Sequence, residues 1–399
     1  MKKTTFWTGI LLVLFLIAPS TIAAKANVPG VTDTEVAIGM STPLSGPAAL
    51  WGGTALGGKA YADYINDQGG IHGRKLKVIL KDDGYNPARA LANLQEMKGK
   101  IFAFNQLLGT AVVHTCRDFF AENKIPLINA YGNTRMWRDY PKDRLRYIFI
   151  AYPDYEDEAE WMTNWAFKNL GSRKFAVFYQ NDDYGKLGWS GVAKAVMDLY
   201  GKAKLVAAVP YEVTERALSA HALKLRQSGA DTLLLYPTPT HGALILKESA
   251  KIGYRPKVLT SFPLGDPIMF LVAKQLWEGV HPATAALAGL PGFESEADRV
   301  FNIVKKYNPK LAKTGFFGLL GSVSMMHLVK GLELAGRDLT VEKMIRAMES
   351  IKNWTPAAGG APVTYGPNRH HGLNSSRLLK AEKGRLVPVT GYVIHKPWF

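Results

Sequence analysis

The sequence predicts an α/β protein whose cores are parallel sheets covered by helices, divided between two lobes. Short apolar runs alternate with amphipathic segments from residue 35 to about 287, the order that lays successive strands side by side with helices across their faces. The helical segments keep their apolar residues at helical spacing, as in Leu218, Ala222 and Leu225 or Met162, Ala166 and Leu170. Length agrees, since 399 residues exceed one domain at the usual ~100–200 residues each.

The first segment is expected to be a secretory signal peptide, residues 1–26. Lys2 and Lys3 precede a mostly apolar run from Phe6 to Ala18, followed by Ala24-Lys25-Ala26 in the A-x-A arrangement of a cleavage site. That run is shorter than the ~20 residues of a membrane span. With no cysteine near the cut, a lipid anchor is excluded, and the product is expected in the periplasm. Cleavage leaves 399 − 26 = 373 residues and, with three lysines and no acid removed, lowers the net charge from +16 to 16 − 3 = +13. The basic residues are dispersed, without a run or an interleaved aromatic stripe, so nucleic-acid binding is a poor fit; a solvated basic surface or an anionic ligand fits better. Cys116 is the only cysteine. An exported chain of this length must therefore hold together by packing alone, with Cys116 serving as a small buried hydrophobe.

Strands are expected at 35–42, 75–82, 101–106, 126–129, 146–151, 174–180, 204–210, 231–236, 257–261 and 279–287. Asp154 stands ahead of an acidic stretch, Glu156 to Glu158, and is expected to cap a helix there. Between the first two strands lies a turn with Pro43, Gly46 and Pro47 and then a helix from about Gly53, whose start is expected to be open to anions. After residue 294 the pattern changes to helices at about 295–307, 316–336 and 340–350. A Pro/Gly-rich stretch from Thr355 to Pro367 then leads to two final strands.

Catalytic motifs are absent. Gly53 to Ala60 falls one residue short of a phosphate-binding loop, because Ala60 lacks the hydroxyl that holds magnesium; its glycines are expected to let a helix approach its sheet. Gly188-Trp189-Ser190-Gly191 has the wrong spacing for a nucleophile elbow. His370-His371 has no third metal ligand near it, and no cofactor is indicated. Asp82-Asp83 and Asp182-Asp183 end strands, where a helix cap is the ordinary role. More telling are the aromatic residues at strand ends: Trp51, Tyr85, Tyr131, Tyr152, Tyr155, Tyr184, Tyr236 and Phe262. Ligands of doubly wound sheets bind outside those ends, so the set points to a flat apolar ligand.

Pro43-Leu44-Ser45-Gly46-Pro47, Ile65-Asn66-Asp67-Gln68-Gly69-Gly70-Ile71-His72-Gly73-Arg74, Asp82-Asp83 with Asn86-Pro87, and Gln180 to Lys186 resemble the solute-binding proteins of branched-chain amino acid ABC transporters, over about residues 33–394. The resemblance implies two Rossmann-like lobes joined by a three-strand hinge, with ligand trapped between them on closure. Crossings would fall near 150, 281 and 357. They would divide the chain into 27–150 plus 282–356 and 151–281 plus 357–399. It also implies a monomeric receptor without catalysis that delivers a small molecule to ABC permease subunits in the inner membrane.

Amino-acid-binding members hold the ligand carboxylate with a serine and a threonine, and the ammonium with an acidic residue. Matched by position, Gly109-Thr110 and Tyr131-Gly132-Asn133 stand in the carboxylate segments, and Thr110 and Asn133 could serve. The acidic position falls near Ser261-Phe262-Pro263, which carries no carboxylate, although Asp182 could supply one in a different arrangement. A buried ammonium without a partner costs several kcal/mol. The expected ligand is thus a carboxylate with an apolar, aromatic body held by Trp51, Tyr85, Gly109, Thr110, Tyr131, Asn133, Tyr155, Tyr184, Tyr236 and Phe262. Branched-chain amino acids or small amides are the alternative; an exported ligand sensor of the same fold and a secreted hydrolase are rival functions.

Overall fold

The computed structural model describes Met1 and residues 28–285, 294–311 and 317–399. The expected leader, beyond Met1, and the end of the expected strand 279–287 lie outside the described residues. The first half of the chain runs β1 (Glu35–Thr42), α1 (Gly53–Asp67), β2 (Lys75–Asp82), α2 (Pro87–Met97), β3 (Ala103–Leu108), α3 (Thr110–Glu122), β4 (Leu127–Tyr131), α4 (Lys142–Leu145), β5 (Ile148–Ala151) and α5 (Tyr155–Asn169). It continues with β6 (Lys174–Gln180), α6 (Asp183–Asp198), β7 (Lys204–Tyr211), α7 (Ser219–Gln227), β8 (Thr232–Tyr236), α8 (Pro239–Lys251), β9 (Lys257–Thr260), α9 (Ile268–Val272) and β10 (His281–Thr284). Three helices follow, α10 (Glu294–Tyr307), α11 (Phe317–Ala335) and α12 (Val341–Glu349), then β11 (His371–Leu373), β12 (Ser375–Glu382), β13 (Arg385–Pro388) and β14 (Val393–Ile394).

Two sheets result. The first has the order β11-β5-β4-β3-β1-β2 with every pair parallel. The second has the order β13-β12-β10-β9-β8-β6-β7, with β14 beside β12. Its strands β7, β6, β8, β9 and β10 are parallel, and β12, β13 and β14 pair antiparallel. Every residue of β3, β4 and β8 is buried, as expected for strands covered on both faces. In each sheet the strand order reverses once, at β1 and at β6, and a ligand crevice belongs outside those strand ends.

Side-chain caps fix where the helices begin. Asp154 accepts from Glu156 and Asp157 N–H ahead of α5, Asp182 from Gly185 N–H ahead of α6, and Asn86 from Arg89 N–H with Pro87 at the first position of α2. Asp83, by contrast, does not cap: it accepts from Ser41 Oγ at 2.8 Å and Tyr85 N–H at 2.8 Å and shapes the turn itself.

The chain passes between sheets three times: after β5, after β10 and at Asn374, between β11 and β12. The third passage, expected near 357, lies later because the Pro/Gly-rich stretch folds back on the first lobe. Trp354 bridges Val363, the Tyr365 ring meets Phe149 at 5.5 Å, and β11 pairs with Ile150 and Ala151. His370 and His371 brace this region. The His371 Nε2–H donates to the Tyr152 carbonyl at 2.8 Å and its Nδ1 accepts from Trp398 N–H, while His370 meets Glu349 at 3.2 Å. Among the described residues no cluster could hold a metal ion, and no helix is long and apolar enough to cross a membrane.

The near-miss phosphate loop serves packing. A Cβ on Gly57 would lie 2.1 Å from the Gly318 carbonyl and one on Gly321 would lie 1.6 Å from that of Thr54, so these glycines let α1 and α11 touch backbone to backbone. Only Gly58 faces the sheet, against Gln106. Nor is the start of α1 open, because a 3-10 turn, Ala49–Gly52, runs into it and supplies carbonyl partners. Cys116 is free and buried, and burial pushes its thiol up to about 12.

Candidate functional site

Between the lobes lies a chamber walled largely by aromatic rings. From the first lobe, the turn after β1 supplies Trp51, the start of α1 supplies Thr54, and the turn after β2 supplies Tyr85 in a left-handed conformation, φ +64°. The ends of β3 and β4 give Leu108 and Tyr131, the start of α3 gives Gly109 and Thr110, and α11 gives Phe317 and Leu320. Tyr152 and Tyr155 come from the first passage between the lobes. The second lobe adds Tyr184 from the first turn of α6, and Phe262 and Pro263 from the turn after β9.

The rings fix one another. Tyr131 meets Tyr152 at 5.2 Å, Tyr152 meets Phe262 at 5.2 Å, Tyr155 meets Tyr184 at 4.7 Å and Trp51 meets Tyr85 at 5.7 Å, all tilted or edge-to-face. Their hydroxyls are occupied: Tyr131 donates to the Leu320 carbonyl, Tyr184 pairs with Ser261 Oγ at 2.6 Å, and Tyr152 pairs with Tyr155 at 3.0 Å. Burial raises the phenol pKa values of Tyr131, Tyr152, Tyr155 and Tyr184, so these hydroxyls stay neutral.

No charged side chain lines the chamber. Its electrostatics come from the start of α3, where the backbone N–H groups ahead of Val113 have no partner within the helix and the helix dipole presents its positive end. Gly109 makes that approach possible: its φ is +105° and a Cβ would sit 2.6 Å from the Tyr85 ring. Thr110 Oγ1 accepts from Asn133 N–H at 3.1 Å, which leaves its own proton to donate. Two carboxyls stand just outside. Asp182, pushed up to about 6 by burial, is held by Gln180 and by its cap. Glu158, pushed up to about 8 by burial, accepts from Phe262 N–H at 3.2 and 3.3 Å behind that ring.

Hydrogen bonds and a ring contact, Trp51 with Tyr184 at 6.5 Å, cross the cleft. The Trp51 indole N–H donates to the Pro263 carbonyl at 3.2 Å and Gln180 Nε2 to Tyr85 Oη at 3.3 Å, so the lobes stand closed.

Of the residues expected at the site, Trp51, Tyr85, Gly109, Thr110, Tyr131, Tyr155, Tyr184 and Phe262 line the chamber. Asn133 and Tyr236 do not. The Asn133 side chain turns back to accept from Arg135 N–H. Tyr236 is wholly buried beneath the wall, donating toward the Tyr155 carbonyl and Glu158. Phe317 and Leu320 carry no local signal, since a helix distant in sequence brings them in. Tyr152 stands among the strand-end aromatics, and its place on the passage between lobes explains its central position.

A family model described as "Periplasmic binding protein" matches residues 35–385. The chain is 23% identical over 376 residues to the Leu/Ile/Val-binding protein BraC3 of Rhizobium johnstonii, covering 92% of this chain and 97% of that protein. It shares its fold with a branched-chain amino acid ABC transporter protein from Thermus thermophilus with bound valine, TM-score 0.81, 20% identity, covering 92% of this chain and 98% of the other. It also matches a fatty acid ABC transporter substrate-binding protein from Thermomonospora curvata, TM-score 0.79, 22% identity, covering 92% and 94%. With its two mostly parallel sheets and a chamber between them, the chain belongs to the type I periplasmic binding protein family, whose members bind solutes and are not enzymes.

Proposed function

We propose that this protein is the periplasmic substrate-binding component of an ABC importer and that it captures a small carboxylate with an apolar, aromatic body. The observation that carries this reading is the combination of a ring-walled chamber without a charged lining residue and a free helix start at one end of it. The carboxylate takes the α3 N–H groups and the Thr110 hydroxyl; the body packs among Trp51, Tyr131, Tyr155 and Phe262. An α-ammonium at this site would meet no lining carboxylate and would lose its hydration without replacement. The neighbour named for fatty acids supports a fold that accepts carboxylates lacking an ammonium, and the valine-bound neighbour supports the rival, a branched-chain amino acid.

A thermal-shift screen of the mature protein separates them. A ligand at a hundredfold excess over Kd adds about 2.7 kcal/mol of stability, so benzoate or cinnamate raises the melting temperature and leucine and valine do not. The reverse pattern refutes the proposal.

A further inference from the structure

A second chamber lies on the hinge side of the first. Tyr152, Phe262 and Leu320 line both, so the two adjoin across a shared wall. Apart from Tyr152 and His327, the second chamber is walled by alanine, proline, glycine, valine, leucine and phenylalanine. Its polar feature is His327 on α11, which is 2% exposed. The His327 Nδ1–H donates to the Val323 carbonyl one turn earlier, at 2.8 Å. That bond fixes the tautomer, and burial, which lowers the imidazole pKa to about 4, keeps the ring neutral. Nε2 is then a bare acceptor turned away from its own helix, buried, and without a hydrogen-bond partner among the described residues. Trp354 packs edge-on against the ring at 5.1 Å and holds its plane. Buried polar atoms are almost always paired, and leaving one unpaired is costly. A donor brought into this apolar chamber by a ligand would satisfy that acceptor.

Resting on the function proposed above, we infer that the second chamber holds the far end of the solute and that His327 Nε2 accepts a hydrogen bond from it. The ligand class is then an elongated aromatic acid with a hydroxyl at the end opposite its carboxylate. One end reads charge at the start of α3; the other reads a single O–H donor at His327. A ligand reaching both ends would have to displace the side chains of Tyr152, Phe262 and Leu320 that line both chambers. The site would discriminate as buried polar sites do, by rejecting an equally shaped analogue that leaves the acceptor unpaired.

Isothermal titration of 4-hydroxycinnamate and 4-methylcinnamate, which match in shape but not in the donor, tests this. The hydroxyl acid is expected to bind wild type roughly tenfold more tightly. The ratio falls to about one in His327→Phe, and part of it returns in His327→Gln, which keeps an acceptor. Equal affinities in wild type, or a preference that survives His327→Phe, overturn the inference while leaving the aromatic-acid site standing. Failure of both acids to bind wild type overturns the site itself, and this inference with it.

Discussion

Replacing Trp51 by Phe tests how this cleft stays shut. The indole is buried at 6% exposure and makes two cross-lobe contacts: its N–H donates to the Pro263 carbonyl at 3.2 Å and its ring meets Tyr184 at 6.5 Å. Phenylalanine keeps the apolar contact with Tyr85 but removes the donor and most of the reach to Tyr184. A neutral hydrogen bond is worth about 0.5–1.5 kcal/mol net, and an aromatic pair adds about 0.5–1.5 kcal/mol. The closed form is therefore disfavoured by about 1–2 kcal/mol, on the order of a 5–30-fold shift toward the open form. Because ligand needs the closed form, the apparent Kd rises by a comparable factor wherever the open form predominates. Titration calorimetry measures the affinity, and small-angle scattering with and without ligand measures the shape. Trp51 belongs to a turn at the cleft, so the melting temperature without ligand should change little. An unchanged affinity with an unchanged closed shape in the apo protein would refute the role given to Trp51.

Gly109→Ala should abolish ligand binding, because its Cβ would fall on the Tyr85 ring and its φ of +105° is hostile to alanine; retention of wild-type affinity by calorimetry would contradict the geometry. Phe262→Ala should weaken binding about 10–100-fold, whereas Tyr236→Phe, altering a ring beneath the wall, should leave affinity within about twofold and lower stability by about 1 kcal/mol. Stability should also depend on pH through Glu158. Its folded pKa, near 8, lies above the ordinary 4.5, so its contribution is full below about 4.5 and is lost as pH rises through about 8. Urea titrations should show a decline on the order of a few kcal/mol over that range, and Glu158→Gln should flatten its upper part; an unchanged slope between pH 7 and 9 would count against a protonated Glu158.

Much of the fold was legible because its signals are local. Buried strands appear as short apolar runs, and Asp154 declares a helix start by its position before acidic residues. The third crossing was not legible. Prolines and glycines between 355 and 367 look like a linker, whereas the real passage is one residue, Asn374, fastened to Asp154 N–H and Asp157 with no break in composition to announce it. At the site, strand-end aromatics were good markers because strand ends face the crevice. The marker failed at Tyr236 because Gly188 of α6 sits directly on that ring, where a Cβ would come within 2.3 Å, and the packing of a bare helix turn onto a ring has no signature in strand spacing. The distal wall was invisible for a different reason: Phe317, Leu320 and His327 lie on α11, a helix far along the chain from the strand ends it faces, returned to the first lobe after β10.

The solitary thiol has a practical use. Cys116 is sealed within the first lobe and held far from its reactive thiolate form, so maleimide chemistry on the native fold has nothing to attack. A single cysteine introduced at exposed Leu44, on the turn that carries Trp51 to the cleft, would then be the one position to take an environment-sensitive dye. Closure over a solute would read out as fluorescence, turning the binding protein into a reagentless optical sensor for whatever it carries.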